Sequence, residues 1–160
     1  MKEDKFKHMT CCFTGHREIP EKDLAGVQAR LEQTIIQLYK RGIVYYGAGG
    51  ALGFDTVAAE TVLRLRENYP KLRLILVLPC KDQTRNWKEK DVAKYAEIRQ
   101  KADKVVYTGE NYTRGCMHTR NRHMVDWSSV CVCYQPKDHG GTAYTVHYAQ
   151  DHGLQVINVA

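Results

Sequence analysis

Short runs of consecutive apolar residues alternate along the chain with longer stretches in which apolar residues recur every three to four positions. The first run, Met9 to Thr14 (MTCCFT), is followed by a Gly turn and then by Asp23 to Lys40. That stretch places Leu24, Val27, Leu31, Ile35, Leu38 and Tyr39 on one helical face. Gly42 stops this helix, and Ile43 to Tyr46 reads as a second strand. Beyond a glycine-rich turn, Asp55 to Tyr69 forms a second amphipathic helix, ended before Pro70. Leu72 to Leu78 (LRLILVL) is apolar apart from Arg73, the composition of a strand buried on both faces. Trp87 to Ala102 is a helix, Lys104 to Tyr107 a strand, Cys116 to Trp127 a helix and Val130 to Tyr134 a strand. Thr142 to His152 is the last helix and Gln155 to Val159 the last strand.

Strands that alternate with helices imply right-handed crossovers and a parallel sheet covered on both sides. The predicted architecture is a single-domain α/β fold, Rossmann-like and doubly wound, with a mainly parallel sheet and helices on both faces. Neither a repeat nor a linker divides residues 1–160, and residues 1–8 read as a flexible N-terminal extension. In such sheets ligands bind beyond the carboxyl ends of the strands, where strand order reverses. The loops after strands are therefore where chemistry is to be sought.

Composition narrows the class. The 160 residues are 43% hydrophobic and 26% charged, as in a globular domain able to bury its own core. No apolar run approaches the roughly 20 residues of a membrane span, and the N-terminus has no apolar signal-peptide core; a cytoplasmic protein with no membrane partner is expected. The net charge of +6 suits an anionic ligand, but it is dispersed rather than gathered into a basic arm. The six cysteines form no CxxC pair and the seven histidines no HxxxH pair. Free thiols and no dedicated metal site follow from that spacing.

Four loops stand out. Thr14-Gly15-His16-Arg17 follows the first strand, where Gly15 suits a turn and the Arg17 fork suits a phosphate. The stretch from Gly47 to Asp55 carries Gly47, Gly49, Gly50 and Gly53, which strip side chains from a segment leading into a helix N-terminus. It is neither GxGxxG nor a Walker A loop. Asp55 there is either a helix cap or a ribose or base contact, and Glu60 is a second carboxylate just inside the helix. After the strongest strand come Pro79, Gln83 and Trp87; Gln83 suits a base edge, and Trp87 suits either stacking on a base or the core. The last loop, Gly140-Gly141-Thr142, offers backbone donors, a hydroxyl and a helix N-terminus together, the strongest phosphate signal of the four. Arg120 and Asn121, within Met117 to Asp126, lie on the helix before the fifth strand.

Taken in order, TGHR, GxxGGALGFD, PCxxQxxxW, CMHTRNRHMVD and GGT resemble the SLOG superfamily. These are Rossmann-like proteins grouped around the DNA-processing protein DprA and the LOG enzymes, and the chain is most similar to the YspA/YpsA/YoqJ-like branch. The resemblance runs from Cys12 to the C-terminus. It implies a pocket for a nucleotide or nucleotide derivative such as AMP, ADP-ribose or NAD. In LOG enzymes a Met-His-x-Arg-Lys segment precedes a Gly-Gly-x-Gly-Thr-x-x-Glu loop, and the Arg and Glu serve N-glycosidic hydrolysis. Here Met117 to Arg120 matches the first, with Asn121 in place of Lys. The second is shortened to Gly140-Gly141-Thr142, with Thr145 in place of the Glu. The departure removes the LOG carboxylate and leaves phosphate binding in place.

The leading reading is a binder of a nucleotide-derived ligand, acting as a sensor or as a hydrolase on a glycosidic or phosphate bond. As an enzyme it would draw its catalytic groups from Asp55, Glu60 and Arg120. The alternatives are a DprA-like single-stranded nucleic-acid binder, with Tyr107, Tyr112 and Tyr134 as stacking platforms, and a LOG-like phosphoribohydrolase. A small-molecule nucleotide is the partner expected first, nucleic acid second, and self-association is compatible with either.

Overall fold

Apolar side chains on alternate strand residues and on one face of each helix can leave water together only if helices pack against both faces of one sheet. The computed structural model, which describes residues 2–160, has this form. Six parallel strands are ordered β4-β3-β2-β1-β5-β6. They are β1 (Thr10–Gly15), β2 (Tyr45–Ala48), β3 (Arg73–Leu78), β4 (Lys104–Tyr107), β5 (Val130–Tyr134) and β6 (Gln155–Asn158). The helices are α1 (Lys2–His8), α2 (Glu21–Lys40), α3 (Phe54–Leu65), α4 (Glu89–Lys101), α5 (Cys116–Asp126) and α6 (Gly140–Asp151).

Two cores result from the pleat. Cys11 and Phe13 face one side of β1 with Val27 and Leu31 of α2, Ala58 and Val62 of α3, and Ile98 of α4. Cys12 faces the other, with Met124 and Val125 of α5 and Ala149 of α6. All six cysteines are free and buried. Of helices α2 to α6, three cover one face and two the other, so part of β2 to β4 stays open on the α5 side, where Phe6 of α1 lies at the margin. The resulting groove of about 520 Å³ includes Tyr45, Ile75, Val77, Val106 and Trp127.

The N-terminal residues read as a flexible extension are helical over Lys2–His8, and the Phe6 ring lies 5.9 Å from that of Tyr45; Met1 lies outside the described residues. β2 begins two residues later than the apolar run suggests. Gly42 N–H donates to Tyr39 O and Ile43 N–H to Leu38 O, so both residues close the end of α2 before pairing can begin. Trp87 precedes α4 rather than opening it, in a run of turns that includes Asn86 at a φ of 67°.

The chain winds outward from β1 through β2 and β3 to β4, then crosses back to place β5 on the other side of β1. Strand order therefore reverses between β1 and β5, where Gly15 is opposite Tyr134.

Candidate functional site

At this reversal the carboxyl end of β1 and the start of α6, the helix that follows β5, border a pocket of about 310 Å³. Thr14, Gly15, His16, Arg17, Asp55, Arg120, Asn121, Gly141 and Thr142 all line it, so the structure brings together nine residues drawn from four separate sequence segments. The segments containing Asp55, Met117 with His118, and Gly141 with Thr142 bring the N-terminal ends of α3, α5 and α6 to the pocket. Helix α6 starts after an extended His139, has no side-chain cap and has no acidic residue in its first turn. Its first N–H groups and its positive dipole end are thus not neutralised by the helix's own side chains.

The glycine-rich loop is held from all sides. Asp55 is not the cap of α3: Gly53, at a φ of 79°, takes that place. The Asp55 carboxylate instead accepts the Ala51 N–H at 3.2 Å, while the Thr56 hydroxyl donates to Ala51 O at 3.0 Å. A side chain at Gly53 would run into the backbone of Arg17, so absence of a Cβ is what lets the first two loops touch. Gly15 has a different role from the one its turn position suggests. It has no positive φ, and a Cβ there would lie 2.5–2.6 Å from the Phe54 side chain; the constraint is packing, not a turn.

Arg120 is only 4% exposed. Its guanidinium donates to the carbonyls of Gly49 and Val77, and its Nε to Asn121 Oδ1 at 2.7 Å. It lines the pocket, yet most of its donors are spent on protein. Asp55 and Arg120 face the Gly49 backbone together, and a Cβ on Gly49 would collide with the guanidinium and lie 2.9 Å from Asp55 Oδ2. Burial pushes the Asp55 carboxyl above the usual carboxylate range, opposed by Arg120, by the Ala51 N–H and by Arg17. Burial likewise lowers the Arg120 pKa, opposed by Asp55. The pocket therefore holds two guanidinium groups, Arg17 exposed and Arg120 buried, against one carboxyl group.

The other residues singled out above lie elsewhere. Gly140 begins α6 at a φ of 84° but does not line the pocket. Gly47 is inside β2, on the α5 side, where a Cβ would meet the Met124 sulfur at 3.9 Å. Glu60 is on the outer surface of α3, paired with Lys94 at 3.0 Å, and does not line the pocket. Pro79 is buried directly after β3, and Gln83 is buried with its amide nitrogen donating to Gly49 O at 3.4 Å. Gly50, Gly53 and Trp87 line a separate cleft of about 250 Å³ between α3 and α4, to which Asp55 also contributes. Trp87 meets Tyr95 there edge to face, with ring centroids 5.7 Å apart.

His118 also lines the pocket, although nothing in the loop patterns marks it; the one signal for it is its place in the Met-His-x-Arg segment. His16 Nε2 and His118 Nδ1 are both buried without a hydrogen-bond partner. Thr145, at the position of the LOG carboxylate, donates to Gly141 O and accepts from Asn121 Nδ2, each at 3.1 Å. It joins α5 to α6. Among the described residues no three His, Cys, Asp or Glu side chains are grouped to hold a metal ion. No helix there is long and apolar enough to cross a membrane.

Comparison with known proteins gives the family and the fold. The model of the YspA SLOG family matches residues 11–157. The chain belongs to that family. A UPF0398 protein of Halalkalibacterium halodurans is 28% identical over 132 residues, covering 81% of this chain and 70% of that protein. The UPF0398 protein YpsA of Bacillus subtilis is 26% identical over 133 residues, covering 81% and 74%. Among solved structures, DNA processing protein A of Helicobacter pylori, described for its single-stranded DNA binding mode, superposes with a TM-score of 0.67 at 21% identity. That of Streptococcus pneumoniae superposes with a TM-score of 0.68 at 17% identity. At those identities the likeness is one of fold. This chain spans 66% and 50% of those two chains.

Proposed function

We propose that this YspA-family protein binds a nucleotide or nucleotide-derived ligand at the reversal point, with a phosphate against Gly141 and Thr142 at the start of α6. The observation that carries the reading is the convergence of three helix N-termini, none with a side-chain cap, on a pocket that also holds Arg17 and Arg120. Backbone donors and fixed positive charge aimed at one small volume are what a phosphate group needs.

Binding is favoured over LOG-type chemistry. Stabilising an oxocarbenium-like ribose requires a carboxylate, and Thr145 supplies only a hydroxyl already bonded to Gly141 and Asn121. Asp55, the one carboxylate lining the pocket, accepts the Ala51 N–H, and burial disfavours the charged form that a developing cation would need. Release of free base from AMP is expected to stay at background. A second reading, single-stranded nucleic acid, draws on the fold shared with the Helicobacter pylori protein that binds single-stranded DNA, and on the net charge of +6. It has poor stacking support. Tyr134 is 2% exposed and packs on Phe54, and the exposed Tyr112 ring is covered by the Arg85 guanidinium at 4.0 Å.

Calorimetry with AMP, ADP-ribose and a single-stranded oligonucleotide on wild type and Gly141→Val tests the reading. A Cβ at Gly141 meets nothing within 4 Å, so the variant should fold. Its added bulk at the pocket should weaken AMP binding by roughly tenfold or more. Unchanged AMP affinity in the folded variant overturns the placement, and salt-sensitive oligonucleotide binding without nucleotide binding favours the second reading.

A further inference from the structure

Two histidines line the phosphate pocket, His16 from the loop after β1 and His118 from the first turn of α5. Each ring is held by an aromatic neighbour, His16 against Tyr134 with centroids 6.2 Å apart and His118 against Tyr144 at 4.5 Å. One nitrogen of each, His16 Nε2 and His118 Nδ1, is shut away from the surface without a partner, and no ligand reaches it. Orphaned buried N–H groups are rarer than orphaned acceptors, and no acceptor there holds the ring proton. The proton therefore sits on the opposite nitrogen. His16 Nδ1 and His118 Nε2 are not shut away, and among the described residues neither is bonded within the protein. Each ring thus offers one N–H donor toward the pocket that it lines. Two hydroxyls join them. Thr14 is 6% and Thr142 8% exposed, both line the pocket, and among the described residues neither hydroxyl is shut away or bonded within the protein.

Charge and room point the same way as the donors. Arg17 and Arg120 line this volume, and Asp55 is its one carboxyl group, with burial disfavouring the charged form. A phosphate monoester carries about −1.5 to −2 near neutrality and has three free oxygens. A phosphate bridged on both sides carries a single charge and has two. At about 310 Å³ the pocket is also at the small end for ligand sites, which suits a mononucleotide or sugar phosphate better than a dinucleotide. We propose that the pocket takes a terminal phosphate, the monoester of a mononucleotide or sugar phosphate, and that His16 Nδ1 and His118 Nε2 donate to its free oxygens beside the start of α6. The proposal rests on the phosphate placement given above and narrows its ligand: ADP-ribose and NAD, whose phosphates are all bridged, fall outside the class.

Calorimetry compares AMP with adenosine 5′-(methyl phosphate), the same nucleotide with its phosphate bridged by a methyl group, on wild type and four variants. Wild type should bind AMP roughly tenfold more tightly than the methyl ester, or better. A Gln amide places its donor near Nε2 of the imidazole it replaces, and an Asn amide near Nδ1. His118→Gln and His16→Asn should therefore stay within about threefold of wild type for AMP. His118→Asn and His16→Gln should lose about fivefold or more, and with it part of the preference over the methyl ester. Loosened packing against Tyr144 or Tyr134 would not follow that alternation. Equal wild-type affinities for AMP and the methyl ester, or four variants that bind AMP alike, overturn the proposal. The phosphate reading then stands if Gly141→Val still weakens AMP. No saturable AMP binding by wild type overturns both. A 5′-phosphorylated oligonucleotide bound as tightly as AMP moves the monoester to a strand end and overturns the mononucleotide.

Discussion

Replacing Arg120 with Ala tests whether the buried guanidinium is chiefly a clamp on the glycine-rich loop. The change removes donors to Gly49 O, Val77 O and Asn121 Oδ1 and leaves Asp55 buried without its nearest countercharge. Each hydrogen bond to a charged donor contributes about 1.5–3 kcal/mol, and breaking a buried charge pair from one side costs about 3–5 kcal/mol in all. These terms describe overlapping contacts, so the larger figure is taken as the whole. For a domain of this size it corresponds to a Tm lower by roughly 6–20 °C. The loss should also depend on pH. Without Arg120 the Asp55 carboxyl rises further above its unfolded value of about 3.9. Between those two values the folded variant holds a proton that the unfolded chain has released. The variant therefore loses stability relative to wild type as pH rises from about 4, and the difference levels off above the folded pKa. Thermal unfolding followed by circular dichroism at about pH 5 and about pH 8 gives both numbers. Asp55→Asn in the same chain should narrow the gap at the higher pH. A Tm within about 2 °C of wild type at both pH values would refute the clamp.

Other consequences follow from the same geometry. Gly15→Ala forces a methyl group against Phe54 and should cost about 1–3 kcal/mol, read as a lower Tm; an unchanged Tm means the contact can relax. Glu60→Gln removes an exposed pair with Lys94, and neither Tm nor AMP affinity should move; loss of AMP binding would return Glu60 to the site. Wild-type protein incubated with AMP should release no free adenine above background, and rapid release would place a working carboxylate in the pocket.

The strands Lys104–Tyr107 and Val130–Tyr134 stand where the apolar runs put them, because each run is as long as its ladder and bounded by polar residues. The same period-based reading misplaces the start of β2, since Ile43 is apolar for the sake of the α2 terminus rather than the sheet. The reversal point is legible too: strand–helix alternation implies the topology, and the topology names the loops after β1 and β5. What side chains do there is less so. Arg120 reads as a ligand contact through the resemblance of its Met-His-x-Arg segment, whereas only the fold shows the guanidinium turned onto Gly49. Gln83 and Trp87 belong to loops near the site, but only the structure tells on which side of the Gly49–Asp55 loop they fall. His118 is no more conspicuous in the sequence than His123 five residues on, and the helix phase alone puts one in the pocket and the other in the opposite groove.

The phosphate placement is tested most directly by amide chemical shifts of 15N-labelled protein titrated with AMP. The largest saturable changes should fall on His16, Arg17, Gly141 and Thr142, whose backbone N–H groups are at or beside the pocket. Saturable changes confined to the groove of Tyr45, Ile75 and Trp127, or no saturable change at any amide, would contradict it.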